Sequence, residues 1–297
     1  MVSLAIREKE QRTHDDGVGA AFEPLKSVPV RHWGQMIAAA ILVILLAAFI
    51  VALAQNKKLD WDVFWQNLTA ADVLGGLVVT IELTVVSMAG GILLGVLLAV
   101  ARLSSNRVLI GLSSAYIWFF RGVPLLVQIL VWGNFALLFP RLGIGIPFTD
   151  VMFVSVNTND VLTTFVASCV ALGLHEAAYM AEVVRGGILG VDSGQREASA
   201  ALGMTNAQAM WRIVLPQAMR IILPPTGNQL ITLFKSSALV YVIAGQDLMT
   251  VVTGIGATTY RVMESLFVGT FWYLVIVSVL MIGQRFLEKR AARGHQR

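Results

Sequence analysis

The chain has 297 residues, 57% of them apolar and only 13% charged, with a net charge of +4 and a mean hydropathy of +0.74. A soluble domain carries about 25% charged residues, so this composition excludes a water-soluble globular protein and indicates an integral membrane protein. The apolar residues fall into runs near 20 long, the length at which an α-helix crosses roughly 30 Å of hydrocarbon, and not into the alternating segments of an outer-membrane barrel.

Residues 1–35 are polar, include the run REKEQRTHDDG with Pro24 and Pro29 further on, and are predicted to form a disordered tail. Residues 36–55 contain the first apolar run. Its closing Ala-Leu-Ala imitates a signal-peptidase site, but the long preceding tail and the 18 apolar-run residues at 37–54 point to an uncleaved anchor helix. Five further spans are expected at 77–101, 112–139, 161–183, 224–244 and 268–286, which makes six. In the first of these five, Gly91 and Gly95 have the small-xxx-small spacing that lets backbones approach, or are incidental. The single cysteine, Cys169, rules out an internal disulfide and a cysteine metal cluster and is read as packing.

Basic residues set the orientation. Seventeen Lys and Arg fall in one set of loops and tails, against Lys57, Lys58, Arg141 and Arg261 in the other, with Lys235 inside a span. Both termini and the segment 190–218 are therefore expected in the cytoplasm. Asn67-Leu68-Thr69 is a glycosylation sequon on the outer side, accidental in a bacterial host.

The stretch QREASAALGMTNAQAMWRIVLPQA, residues 195–218, is polar and Ala-rich, unlike its flanks. Asp192 and Gln195 have capping-box spacing, so a short helix is expected to start there and to stop at Gly203, which takes the left-handed conformation without steric cost. Thr205 and Gln208 repeat the box and predict a second short helix ending near Pro216. A DNA-reading role is set aside, because the segment is tethered at both ends to membrane spans and carries few bases. A mere linker would need neither two caps nor a small-residue face at Ala198, Ala200 and Ala201.

The spacing of Glu197, Ala198, Ser199, Gly203, Ile213, Leu215 and Pro216 resembles the EAA loop of permease subunits in ABC import systems, departing only at Ser199, where the family usually has a second alanine. With ARLS (101–104), FFRGVPLLVQ (119–128), HEAAYMAEVVRGGI (175–188) and RIVLPQAMRIILPPTGNQ (212–229), the chain is similar to the branch that imports polar amino acids, the His/Glu/Gln/Arg/opine group, over residues 76–289. The resemblance implies an all-α membrane protein of about six transmembrane helices: a permease domain at 72–288 with its cytoplasmic coupling loop at 190–218, an extra N-terminal helix at 36–55 beyond the usual five, and a basic tail at 289–297. It implies a cytoplasmic ATPase that docks on the loop and holds ATP and magnesium, an extracytoplasmic binding protein, and pairing with itself or a sister permease. The expected place is the cytoplasmic membrane, in contact with lipid. ATP binding would close the ATPases and turn the cavity outward, and hydrolysis would return it inward.

The chain has no G-x-x-x-x-G-K-[ST] loop, so ATP hydrolysis is expected on a partner and no cofactor on this chain. No HExxH or nucleophile elbow occurs, the four histidines are scattered, and no nucleic-acid role is expected; the chain reads as a transporter subunit and not an enzyme.

Ionisable groups inside spans are costly and default to functional candidates. They are Glu82, Glu176, Glu182 and Lys235. Glu176, Tyr179 and Glu182 share one helix sector, and Glu182 is expected to pair with Arg185 near the cytoplasmic end. Lys235 lies deep in its span, and two readings stand: a fixed pair with Glu176 or another glutamate, or a place on the translocation path, where it meets a substrate carboxylate beside Ser236, Ser237 and Asn228. The run KSSALV lacks the acidic residue that some family members have after the lysine, which tilts the expected substrate toward glutamate or glutamine. An ion-gradient-driven carrier, which needs no cytosolic docking loop, is the alternative function.

Overall fold

The computed structural model describes residues 33–145 and 152–292. They divide between two compact units, Met1–Lys57 and Lys58–Arg297. The first unit contributes one described element, α1 (Trp33–Ala54), a 22-residue helix with no buried residue. Residues 1–32, which carry nearly all of the expected tail, and 293–297 lie outside the described residues.

In chain order the second unit contains α2 (Trp61–Leu68), α3 (Ala71–Arg102), α4 (Arg107–Gly122), α5 (Leu125–Gly133), α6 (Phe135–Leu138), strands β1 (Arg141–Gly145) and β2 (Met152–Asn157), α7 (Thr158–Val161), α8 (Thr164–Leu189), α9 (Ser193–Ala201), α10 (Asn206–Ala209), a π-helical turn (Met210–Val214), α11 (Leu215–Ser236), a 3-10 segment (Ser237–Ile243), α12 (Leu248–Thr259) and α13 (Val262–Ala292). Among the described residues α1, α3, α8 and α13 are long and apolar enough to cross a membrane, and two bent helix pairs bring the number to six if each is one span.

The centre of the second unit is α3 packed along α8, and the glycines of α3 are at the contact. A Cβ on Gly91 would fall 2.9 Å from Glu176 Cβ, and one on Gly95 would fall 2.6 Å from Met180 Cβ. Both are closer than side-chain atoms approach, so Gly91 and Gly95 are what brings the two backbones together, and the incidental reading is set aside. Around this pair Leu83, Met88, Leu172, Met180, Leu233 and Val240 form the main core. A second cluster of Val73, Leu77, Leu248, Val252 and Val268 lies at the end of the bundle remote from α9. There α2 is fastened to α13: Asp60 caps α2 through the Asp62 amide and donates its own amide to Glu264 Oε1 at 2.9 Å, Trp272 Nε1 donates to the Leu68 carbonyl at 2.8 Å, and Trp61 stacks on Phe267.

Three sequence expectations change. The span expected at 112–139 is two helices, α4 and α5, meeting at 98°. Gly122 ends the first, and Val123, restricted because it precedes Pro124, takes the extended values φ −86° and ψ 131°. Gln128 Nε2 closes the corner by donating to the carbonyls of Phe120 and Val123 at 3.0 and 2.9 Å. The span expected to open at Pro224 begins instead at Leu215, and the second short helix does not stop near Pro216: the chain is continuously helical from Asn206 to Ile243. Pro216 is the second residue of α11 and follows the π-helical turn directly, inside this continuous helical run. Pro224 and Pro225 lie inside the helix, and Gln284 of α13 donates to the Pro224 carbonyl at 2.7 Å, over the space left by Gly227. The antiparallel β1–β2 hairpin, α2 and α12 are elements with no counterpart in the sequence reading.

Candidate functional site

Two regions collect the residues singled out in the sequence. The first is the helix–turn–helix after α8. Asp192 caps α9, its carboxylate accepting from the Gly194 amide at 2.6 Å. The box expected with Gln195 is not formed there, because Gln195 Oε1 instead accepts from Gln217 Nε2 at 3.3 Å and ties α9 to α11. Arg196 Nη2 donates to the Ile188 carbonyl at 2.8 Å and so pins α9 against the end of α8.

The turn itself follows the expected chemistry. Gly203 has φ +73°, with nothing within 4 Å of where a Cβ would stand, and the amides of Gly203 and Met204 close onto the carbonyls of Ala200 and Ser199 at 2.9 and 3.0 Å. Thr205 and Gln208 complete a reciprocal capping box: Gln208 N donates to Thr205 Oγ1 at 3.3 Å and Thr205 N to Gln208 Oε1 at 2.9 Å. Ser199 is buried and its hydroxyl donates to the Arg196 carbonyl at 2.7 Å, so a serine fits where the family usually has alanine. Glu197, Ala198, Ala201 and Pro216 are exposed, whereas Ile213 and Leu215 are half-buried. Beside the turn stand two large apolar side chains that the motif reading passed over, Leu202 at 81% and Trp211 at 71% exposure. Their signal was available in the sequence: two bulky apolar residues flanking a glycine turn in an otherwise polar segment.

The second region is within the helical bundle. Glu182 forms the expected pair with Arg185, at 2.8 Å, and a second one with Arg102 of α3 at 2.6 Å. One turn earlier, Tyr179 is half-buried under the Arg121 guanidinium, 5.1 Å from the ring centre, with the His175 ring 5.0 Å away. His175 Nδ1 lies 3.2 Å from the Gln128 amide that closes the α4–α5 corner. The motif containing RGVP and the α8 motif thus meet through Arg121, Gln128, His175 and Tyr179.

Glu176 does not pair with Lys235. It is 3% exposed, wedged against Gly91, and its Oε1 accepts from Gln229 Nε2 of α11 at 3.2 Å. Ser237 is also turned inward, its hydroxyl donating to the Phe234 carbonyl at 2.7 Å, and Ser236 is half-buried. Lys235 is exposed and makes no ion pair among the described residues. Asn228 and Thr232 are exposed as well, and their spacing of four and seven residues places Asn228, Thr232 and Lys235 on one face of α11. Glu82 lies exposed on α3. A cleft of about 360 Å³ between α3 and α8, lined by Val86, Leu94, Phe165, Val170 and Leu174, is apolar and offers a polar solute little.

Residues 91–293 match the family described as the binding-protein-dependent transport system inner membrane component. The arginine transport system permease protein ArgU of Corynebacterium glutamicum is 42% identical over 95% of this chain and 89% of its own length. The glutamate/aspartate import permease protein GltK of Escherichia coli is 35% identical over 79% of this chain and 99% of its own, and the probable glutamine ABC transporter permease GlnM of Bacillus subtilis is 36% identical over 73% and 91%. A crystal structure of an amino acid ABC transporter superposes with a TM-score of 0.63 at 35% identity, covering 74% of this chain and 94% of that one. These relatives are permease subunits and not enzymes, and they lend no support to the ion-driven alternative. The chain belongs to the binding-protein-dependent transport system inner membrane component family and is the permease subunit of an amino-acid ABC importer.

Proposed function

We propose that this permease imports a polar amino acid across the cytoplasmic membrane by alternating access, driven by a separate ATPase that docks on the α9–α10 turn. The observation that carries the docking is the turn itself. Two capped helix ends and a left-handed glycine hold Glu197, Ala198 and Leu202 out of the bundle, a presentation that serves a partner protein and that a linker has no need of. The π-helical turn and α11 continue from it without a break, so displacement of the turn is transmitted directly to the helix that carries Lys235. ATP and magnesium belong on the docked ATPase. An extracytoplasmic binding protein delivers the solute, a second permease chain, identical or a sister, completes the pathway, and both termini face the cytoplasm.

On the pathway, the face of α11 with Asn228, Thr232 and Lys235 supplies a cation and hydrogen-bonding groups for a carboxylate. A glutamate- or glutamine-like substrate is the reading we adopt, since no acidic residue adjoins Lys235. Arginine is the second reading, on the 42% identity with the ArgU permease over nearly the whole chain. The test is uptake of labelled glutamate, glutamine and arginine into proteoliposomes containing the permease, its ATPase and its binding protein, for wild type and Gly203→Asp. ATP-dependent uptake of one solute, lost in the variant while the protein stays folded, supports the proposal; ion-driven uptake without the ATPase sinks it.

A further inference from the structure

The β1–β2 hairpin has an apolar face that nothing in the described chain covers. Its register pairs Leu142 with Val156 and Ile144 with Val154, and, on the opposite face, Arg141 with Asn157 and Gly143 with Ser155. Side chains alternate across a strand, so these four pairs put Leu142, Ile144, Val154 and Val156 on one face and Arg141, Gly143, Ser155 and Asn157 on the other, with the unpaired Phe153, 70% exposed, at the register shift beside Ile144 and Gly145. The aliphatic face is open: Ile144 is 76%, Val154 65% and Val156 46% exposed. A two-stranded hairpin is marginal in water on its own and needs its apolar face covered.

We infer that this face lies in the interfacial layer of the bilayer, against lipid. Three observations select lipid over a protein. First, the hairpin follows α5 and α6 directly in the chain, α5 belongs to a bent pair apolar enough to be a membrane span, and Leu137, Leu138 and Phe139 between it and the hairpin are exposed apolar residues. Second, its base is held in place: the Thr158 amide donates to the Pro140 carbonyl at 3.0 Å and the Thr158 hydroxyl to the Phe139 carbonyl, so the two strand ends are joined and the sheet keeps one orientation to α6. Third, the polar face offers Arg141 as its one charge among the described hairpin residues, little for a soluble protein to recognise but well suited to a lipid phosphate. A partner that leaves in each transport cycle would return four aliphatic side chains to water every time, an unfavourable step that a permanent lipid cover avoids. The inference concerns the end of the bundle occupied by α6 and holds for either leaflet.

The test is spin labelling of the full chain in liposomes. In a Cys169→Ala background, which removes the one native thiol, single labels are placed through Ile144→Cys and Val154→Cys on the aliphatic face and Ser155→Cys on the polar face, with uptake confirming that each variant is folded. Collision with oxygen, which concentrates in lipid, is compared with collision with a water-soluble nickel chelate. The expected result is a ratio favouring oxygen at the first two positions and the chelate at the third. Chelate dominance at all three would place the hairpin in water, and exclusion of both reagents at the first two would mean that a second copy or another protein covers it. Either result overturns the inference.

Discussion

At the scale of single residues, Gly203 and Lys235 carry the clearest expectations. With φ at +73°, a non-glycine residue at 203 costs about 1–2 kcal/mol of local strain, and Gly203→Asp adds a charge where the ATPase is proposed to dock. We expect ATP-driven uptake to fall to background with the helical circular dichroism unchanged; retained uptake would dissociate the turn from coupling. Lys235 is exposed and makes no ion pair among the described residues, so replacing it leaves no buried charge behind. Lys235→Met should lower uptake by about tenfold or more, the loss of one charge-assisted hydrogen bond worth roughly 1.5–3 kcal/mol, and Lys235→Arg should recover part of it. Equal uptake by all three would remove Lys235 from the pathway. Glu176, buried against Gly91 and Gln229, is placed to hold three helices together and has no open surface to offer a solute.

At the scale of elements, the contact between α3 and α8 depends on the absence of side chains at Gly91 and Gly95. Gly95→Leu forces a branched side chain into the space of Met180 Cβ and the Ala177 carbonyl. Overpacking of this kind costs about 1–3 kcal/mol, and the expected result is a lower unfolding temperature in detergent, whereas Gly90→Leu, at a position with nothing within 4 Å, should leave it unchanged. The α4–α5 corner is held by one side chain, Gln128, which reaches two carbonyls of the broken turn. Gln128→Leu removes the donor to these part-buried carbonyls, at a cost of about 1 kcal/mol or more. We expect faster protease cleavage near residues 122–124, and cleavage at the wild-type rate would show that Pro124 alone maintains the bend.

At the scale of the whole molecule, the region matched by the family, residues 91–293, lies entirely within the compact unit Lys58–Arg297. That unit has its own core in two clusters. Removal of residues 1–57 is therefore expected to leave a folded permease with ATP-dependent uptake, measured with the same proteoliposome assay. Loss of folding on truncation would mean that the first unit is needed for assembly.

What the sequence determined by itself is what a single segment decides on its own: apolar run length and hence the membrane class, the Thr205–Gln208 box, the left-handed Gly203, and the short-range pair of Glu182 and Arg185. Motifs spread over 101–229 were enough for the family. The tertiary structure alone decided which face of each span meets another: that Glu176 binds Gln229, 53 residues away, that Glu182 also takes Arg102, 80 residues away, that Ser237 turns inward while Lys235 stays open, and that α4 and α5 meet at 98°. The reason is physical. In a bilayer every span is apolar nearly all round, so hydrophobic periodicity does not mark the buried face, and the choice falls to glycine-sized gaps and buried hydrogen bonds between helices distant in the chain.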